Sequence, residues 1–267
     1  MNIGIATSMK NEYITVKEQF ELFERFGVQH TFLSAGHPRL EEALELLPRH
    51  GIICDNFHSD FRGTLDGEAI SMHDIPREGK AGDRMLELLL ENVTNCQKYG
   101  IDVLVVHSVP EPPDVALNAI SDARYRVLAD YARECNVTLA FENIYYYQNL
   151  ARIMDIIPDG KFCWDCGHQY CFGDRRKVMP DFADRLIALH VHDNNFEKDE
   201  HAIPFEGRID FDVIAKELAD CRFDGTMMLE LAYRGQIPPE DYYAKAAKAA
   251  KKLVCMVKSC QSAPLRA

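Results

Sequence analysis

The sequence predicts a single (β/α)8 barrel, the α/β fold of TIM-barrel proteins. Three observations carry the prediction. The chain has 267 residues, close to the roughly 250 of one such barrel. Eight short β-rich runs alternate with longer helical ones, which implies right-handed crossovers, a parallel sheet and closure after eight units. Apolar residues make up 47% of the chain, enough for one large core and too many for disorder. The rival open doubly wound sheet lacks its G-x-G-x-x-G signature after the first strand.

In chain order, the first strand is NIGIATS (2–8), and ITVKEQFELFERF (14–26) follows with apolar residues at helical spacing. VQHTFLS (28–34) and GIICDNFH (51–58) are the second and third strands, separated by the helical PRLEEALELLPRH (38–50). The segment SDFRGTLDGEAISMHDIPREGK (59–80) is too polar and broken for a core element, and its length suits an active-site loop. The helix AGDRMLELLLENVTNCQKYG (81–100), the strand DVLVVHS (102–108) and a helix from Asp114 to Asn136 come next. VTLAFEN (137–143) leads to QNLARIMDII (148–157), and KFCWDCG (161–167) to KVMPDFAD (177–184). The last strands, LIALHVHD (186–193) and TMMLELA (226–232), flank FDVIAKELADC (211–221), and PPEDYYAKAAKAAKKLVCMVK (238–258) closes the pattern. Gly27, Gly100 and Gly160 sit where helices should stop, in the place of left-handed caps. No linker, fixed repeat or low-complexity tract divides the chain, so residues 1–267 are read as one domain. The tyrosines Tyr242 and Tyr243 of the last helix suit packing on the barrel or on a second subunit.

Composition narrows the function. Forty-two Asp and Glu against 30 Lys and Arg give a formal net charge of −12, whereas a phosphate backbone calls for a basic footprint. General nucleic-acid binding is disfavoured. MNIGIATS carries no charged region ahead of a long apolar stretch and no run reaches membrane-span length, so a cytoplasmic protein without membrane attachment is expected. Nine cysteines then read as reduced thiols, many of them small buried hydrophobes. Cys163 and Cys166 form a CxxC that suits a redox pair or half a zinc site, but no second CxxC completes it.

Barrel enzymes build their sites at the C-terminal ends of the strands, so the residues there decide the chemistry. The third strand ends at His58, the fourth at His107 and the fifth at Glu142. The sixth carries Asp165, with His168 three residues on; the seventh carries His190 and His192; the eighth ends at Glu230. Asp199 and His201 lie in the loop after the seventh. A lone histidine at a strand end is ordinarily a hydrogen-bonded structural group, and a lone glutamate ordinarily pairs with a base. Six strands converging on one mouth change that weighting. Carboxylates gathered in one place repel and resist ionisation unless a cation neutralises them. Imidazole plus carboxylate without thiolate suits zinc, manganese, cobalt or iron. On one strand His190 and His192 share a face and Asp193 lies on the other. His190 is the preferred ligand, with His192 a substrate contact, a supporting partner or an alternative ligand. Asp193 or Asp210 is placed to hydrogen-bond a ligating imidazole.

As an ordered set, these strand ends, with WDCGH, HVHDN and DEHAIPFEGRIDF, resemble the xylose-isomerase-like TIM-barrel superfamily of sugar (phosphate) isomerases and epimerases, which also includes endonuclease IV. The resemblance spans nearly the whole chain. Its epimerase branch implies one divalent metal (Mn, Co, Mg or Zn) held by Glu142, Asp165, His190 and Glu230, with Glu142 and Glu230 as acid and base across a small sugar substrate. It also implies that His168 contacts substrate oxygens. The expected reaction is aldose–ketose isomerisation or C-3 epimerisation through an enediolate. HVHDNNF lacks the arginine those epimerases place soon after this histidine, and Arg234 in LAYRG is the available substitute. No Gly-rich turn marks a phosphate cradle.

The endonuclease IV branch implies three metals instead: His58, His107 and Glu142 at one; Asp165, His190 and Glu230 at a second with Glu142 shared; His168, Asp199 and His201 at a third. That cluster suits phosphodiester hydrolysis, but the chain's acidity and the loop acids Asp60, Asp66 and Glu68 against Arg62 oppose it. A barrel that keeps its ligands but only binds is the third reading. A homodimer or homotetramer is implied by the resemblance alone.

Overall fold

The computed structural model describes residues 1–109, 116–171 and 176–262. Its strands are β1 (Asn2–Ile5), β2 (His30–Ser34), β3 (Ile53–His58), β4 (Arg62–Leu65), β5 (Glu68–Ser71), β6 (Val103–His107), β7 (Thr138–Glu142), β8 (Lys161–Asp165), β9 (Leu186–His190) and β10 (Thr226–Leu229). Its α-helices are α1 (Val16–Phe26), α2 (Leu40–Leu46), α3 (Lys80–Tyr99), α4 (Ala119–Glu134), α5 (Tyr147–Ile156), α6 (Cys166–Cys171), α7 (Met179–Phe182), α8 (Phe211–Asp220) and α9 (Pro239–Ser262). Eight strands form one parallel sheet in the order β10-β1-β2-β3-β6-β7-β8-β9. The ring closes where Val191 bridges Leu229, with Val191 N donating to Met228 O at 2.9 Å and Glu230 N to Val191 O at 3.1 Å. The expected (β/α)8 barrel is the observed fold.

Local chemistry explains the elements. Helix α1 opens on a capping box, in which the Glu18 backbone N–H donates to the Thr15 hydroxyl at 3.2 Å and the Thr15 N–H to the Glu18 carboxylate at 2.8 Å. It buries Val16, Phe20 and Phe23, and stops at Gly27 with φ 71°. Gly100 ends α3 in the same way. Gly160 departs from that expectation, because it is not left-handed; what requires glycine is closeness, since a Cβ there would lie 2.9 Å from the Phe141 ring. Tyr242 and Tyr243 are buried within the chain, 4.8 Å from the Tyr233 ring and 5.5 Å from the Phe23 ring respectively, so α9 packs on its own barrel.

The segment after β3 also departs from expectation: it contains an antiparallel hairpin, β4 paired with β5. Asp66 and Gly67, with φ 53° and 87°, supply the left-handed pair that a two-residue hairpin turn needs. Arg124 on α4 holds the following stretch, donating to the carbonyls of Ile75 at 2.7 Å and Arg77 at 2.6 Å. Helix α6 was not expected, and begins one residue beyond Asp165. The expected helix from Asp114 to Asn136 is observed in part, as α4; it starts only after the Asn118 cap, so residues 116–118 precede it, and Asp114 itself lies outside the described residues. Among the described residues no helix is long and apolar enough to cross a membrane.

Candidate functional site

The interior of the barrel explains how the strand ends converge. Val105, Ala140, Cys163 and Ala188, from four neighbouring strands, pack as one buried cluster of small side chains. Side chains alternate along a strand, so the residue two further on faces the same interior. Those residues are His107, Glu142, Asp165 and His190. Register seats them together, His107 opposite Glu142 and Asp165 opposite His190. The same step from the buried Met228 gives Glu230, and from Asn56 gives His58.

Glu142 is the hub, fully buried. Its Oε2 lies 3.3 Å from Nε2 of both His58 and His107, and its Oε1 3.2 Å from Nδ1 of both His168 and His190. Nδ1 of His190 is also 3.3 Å from Glu230 Oε2. A second group sits beside it: His168 Nε2 is 3.4 Å and His201 Nε2 3.0 Å from Asp199 Oδ2, and His192 Nε2 is 3.5 Å from Asp199 Oδ1. His192 also reaches Asp165 Oδ1 at 3.2 Å. The ligand atoms of Glu142, Asp165, His190 and Glu230 lie within 4.8 Å of one another, as do those of His58, Glu142 and His190, and those of His168, His192, Asp199 and His201. His107 joins none of the three groups, although it touches Glu142.

Whether these residues fit a cation is tested by their unmet hydrogen bonds. Glu142 Oε1, Asp165 Oδ2, Asp199 Oδ1 and both ring nitrogens of His190 and His192 are buried without a hydrogen-bond partner. Each such atom costs about 1–3 kcal/mol, and all seven lie in one place. Tautomers point the same way. His58 Nδ1 lies 2.8 Å from Ser59 O and His201 Nδ1 3.0 Å from Glu230 O. A carbonyl only accepts, so Nδ1 carries the proton and Nε2 turns a lone pair toward a carboxylate. Two lone pairs meet unless a proton or a metal ion lies between. The donor set therefore fits divalent metal.

Without metal, the charges settle on the histidines. Burial alone would raise Glu142, but His190 and His107 outweigh it and hold its carboxyl well below the usual range. Asp165 is likewise lowered against burial by His168 and His192. Burial opposes charge on His168 and His190 too, yet both are raised well above the ordinary imidazole value, His168 chiefly by Asp165 and His190 by Cys163 and Glu230. His201 rises to about 9 despite burial, because Asp199 accepts its hydrogen bond and Glu230 lies near. For His107 burial wins, and it is lowered.

Asp193 and Asp210 do not support an imidazole, which corrects the expectation for them. Asp193 is fully buried and accepts four backbone N–H groups: Asn194 at 2.8 Å and Ile209 at 3.0 Å on Oδ1, Phe205 at 3.0 Å and Gly207 at 2.8 Å on Oδ2. It folds the loop that carries Asp199 and His201. Asp210 caps α8 through the N–H of Asp212 at 3.0 Å. Cys163 belongs to the small-residue layer, its thiol pushed up to about 12 by burial, and the Cys166 thiol is raised well above its ordinary value by burial too. Neither joins a candidate metal group.

A cavity of about 490 Å³ opens onto the centre, with His58, His201 and Glu230 in its floor. Phe32, Phe61, Lys10, His37 and Arg62 wall it, none of which the strand-end reading had singled out. The Phe32 ring lies 4.7 Å from His190 and Phe61 stacks 4.8 Å from His107, so aromatic faces shield the ligands. The wall after β10 runs from Glu230 to Ala232, and Arg234 is exposed beyond it.

The family described as xylose isomerase-like TIM barrel matches residues 17–253. The chain is 30% identical over 157 residues to the uncharacterized protein y4fM of Sinorhizobium fredii, covering 54% of this chain and 50% of that one. It is 23% identical over 163 residues to the uncharacterized protein MJ1311 of Methanocaldococcus jannaschii, covering 54% and 56%. The chain thus spans about half the length of the curated relatives it matches. Among solved structures, an L-ribulose 3-epimerase superposes with TM-score 0.75 at 14% identity over all of both chains. A D-tagatose 3-epimerase-like protein gives 0.74 at 16%, over 97% of this chain and 99% of that one. A 3-keto-D-glucoside 4-epimerase from E. coli gives 0.70 at 15%, over 94% and 99%. At these identities the likeness is one of fold.

Proposed function

The chain belongs to the xylose isomerase-like TIM barrel family, and from that premise we propose that it is a metal-dependent isomerase or epimerase of a small sugar or sugar derivative. One observation carries the reading. Glu142 and Glu230 approach the same nitrogen of His190, at 3.2 and 3.3 Å, and share a ligand group with Asp165. The names of the solved structures reported above, two sugar epimerases and a D-tagatose 3-epimerase-like protein, support it.

Glu142, Asp165, His190 and Glu230 would hold the divalent cation, manganese, cobalt, magnesium or zinc, which when bound polarises the oxygens beside the reacting carbon. One glutamate takes the proton from the carbon next to the carbonyl, and the electron pair left behind forms the enediolate. The other returns a proton, to the opposite face for epimerisation or, with the hydroxyl proton passing from one oxygen to the other, to the neighbouring carbon for isomerisation. Glu142, buried and held ionised by the histidines around it, suits the first role. Glu230, 21% exposed and lining the cavity, suits the second. His168 is oriented by its Nδ1 contact with Asn143 O at 3.1 Å and would steady a substrate oxygen, with the His192 ring 5.6 Å from its own. Phe32 and Phe61 keep water from the reacting carbon, and Arg234 at the rim is the candidate to grip the far end of the substrate.

The test is exchange of the carbon-bound proton with deuterated water across a panel of aldoses and ketoses. Glu142→Gln and Glu230→Gln should each lower turnover by about 10²-fold or more, with metal content measured on the same samples. Full activity in both variants on the substrate found would refute these roles.

A second reading has its own observation: His58 and His107 both reach Glu142, and a separate group surrounds Asp199, which supports the arrangement of a three-metal phosphodiesterase. Robust nicking of an abasic-site DNA duplex with added zinc would move that reading ahead.

A further inference from the structure

We propose that the loops after β1, β2 and β3 form an anion subsite, in which Lys10, His37, Ser59 and Arg62 hold a phosphate or carboxylate group at the end of the substrate away from the reacting carbon. This deepens the sugar reading, and rests on it for what happens at the other end of the ligand. β1, β2 and β3 are neighbours in the sheet, so their loops make one side of the cavity, beside the floor of His58, His201 and Glu230. All four side chains line that cavity, and each offers a hydrogen-bond donor. Among the described residues, Lys10 and Arg62 have neither an ion pair nor a hydrogen bond; the Arg62 guanidinium lies 5.4 Å over the Phe61 ring. An ammonium and a guanidinium left unpaired beside a reacting centre suit the charged oxygens of a phosphate or a carboxylate. The sugars named for the solved structures are uncharged, so the charge expected here comes from this chain's own wall.

Two buried donors on the same wall point to a ligand. Ser59 is 2% exposed and its hydroxyl oxygen has no hydrogen-bond partner, a costly arrangement unless something in the cavity supplies one. His37 is 9% exposed, and its Nδ1 accepts the Arg39 N–H at 3.1 Å, so its proton stands on Nε2. Burial, with Lys10 and Arg39 nearby, lowers its pKa, and it donates as a neutral ring. Asp60 is the acid on this wall, and Asn92 Nδ2 already donates to its Oδ2 at 2.9 Å. The loops are fixed as well. Gln19, fully buried on α1, accepts the Ser8 N–H at 3.0 Å and donates to Ser8 O at 2.9 Å, and Asn11 Nδ2 donates to Tyr233 O at 2.9 Å, so Lys10 sits between two anchored residues. Gly36 brings the loop after β2 against the one after β3, where a Cβ would lie 1.7 Å from Asp60 Oδ2. Donors held in place lose little freedom when an anion arrives.

Binding and turnover are measured separately on the full chain with manganese added, binding by calorimetry and turnover by exchange of the carbon-bound proton. The probes are D-fructose, D-fructose 6-phosphate and D-fructuronate. One of the two anions should bind at least about tenfold more tightly than D-fructose, the phosphate ester if the subsite takes phosphate and the uronate if it takes carboxylate. That advantage should shrink as salt rises. Lys10→Met and Arg62→Met should each weaken the preferred anion by about tenfold or more, and wherever turnover is seen they should raise KM far more than they lower kcat. Both side chains are exposed, so either variant should fold. Equal binding of all three probes, no binding of either anion, or an anion preference that survives in both variants would overturn the subsite. Tight anion binding without proton exchange on any probe would instead overturn the sugar reading and leave the subsite standing.

Discussion

Asp193→Asn is the sharpest structural test of the site, because one atom changes and the consequence can be counted. The carboxylate divides its acceptors evenly, Oδ1 taking Asn194 and Ile209, Oδ2 taking Phe205 and Gly207, all between 2.8 and 3.0 Å. An amide replaces one oxygen with a donor, whichever way it is turned. Two backbone N–H groups then face another N–H in a fully buried position. Space offers no escape, since Gly207 packs so close that a Cβ on it would lie 2.4 Å from Oδ1. Leaving a buried donor unsatisfied costs about 1–3 kcal/mol, so the pair costs about 2–6 kcal/mol. At about 2–4 °C per kcal/mol for a chain of this size, Tm should fall by about 4–24 °C in thermal unfolding followed by circular dichroism. The loop should loosen before the barrel does, and amide exchange at Phe205, Gly207 and Ile209 should accelerate first. An unchanged Tm, with unchanged exchange at those three amides, would refute the account of Asp193 as the residue that folds this loop.

Two further predictions concern the frame around the mouth. Arg124→Met removes a nine-tenths-buried guanidinium that holds the carbonyls of Ile75 and Arg77; stability should fall by about 2–4 kcal/mol, and trypsin should cut at Arg77 or Lys80 in the folded protein. Intact protein after the same digestion would exclude that role. Gly36→Ala places a Cβ 1.7 Å from Asp60 Oδ2, where Asn92 Nδ2 also donates at 2.9 Å. The Ser59–Phe61 stretch must shift, so turnover of the substrate found by the exchange panel should fall while Tm drops by only a few degrees; wild-type kinetics would show the stretch to be irrelevant to the mouth.

What could be read from the sequence was whatever follows from period. Alternation alone carries Ala140 to Glu142, Cys163 to Asp165 and Ala188 to His190, so these strand ends were legible as one face without any contact information. What escaped depends on local or distant partners. The D-G pair at Asp66 and Gly67 did carry a hairpin signal, masked by the polarity of the segment around it. Helix α6 hid because WDCGH runs straight from strand into helix; its start is marked by the His168 N–H donating to Asp165 Oδ1 at 2.6 Å, a capping contact made by a residue already read as a ligand. The role of Asp193 was out of reach, since three of its four partners lie 12 to 16 residues further on.

The same lone pairs that call for metal also fix how the metal-free protein should respond to pH. His201 has a folded value of about 9 against about 6.5 in an unfolded chain. A raised value means that the folded state binds the proton more tightly, so this contribution is complete below about pH 6.5 and is lost as pH rises through about 9. Its size is the 2.5-unit difference at about 1.4 kcal/mol per unit, or about 3 kcal/mol. His168 and His190 are raised as well and add in the same direction. Glu142 and Asp165, lowered by those imidazoles, add stability that is present at neutral pH and lost toward strong acid. Metal-free protein should therefore lose Tm between pH 6.5 and 9, over a range where metal-loaded protein does not. Since ligation needs the proton gone from Nε2, zinc binding at pH 7 should release protons, and its apparent affinity should rise with pH. Calorimetry in two buffers of different ionisation enthalpy counts those protons. Zero release at pH 7, together with a flat Tm from pH 6.5 to 9 in the metal-free protein, would mean that the histidines are not charged in place of the ion.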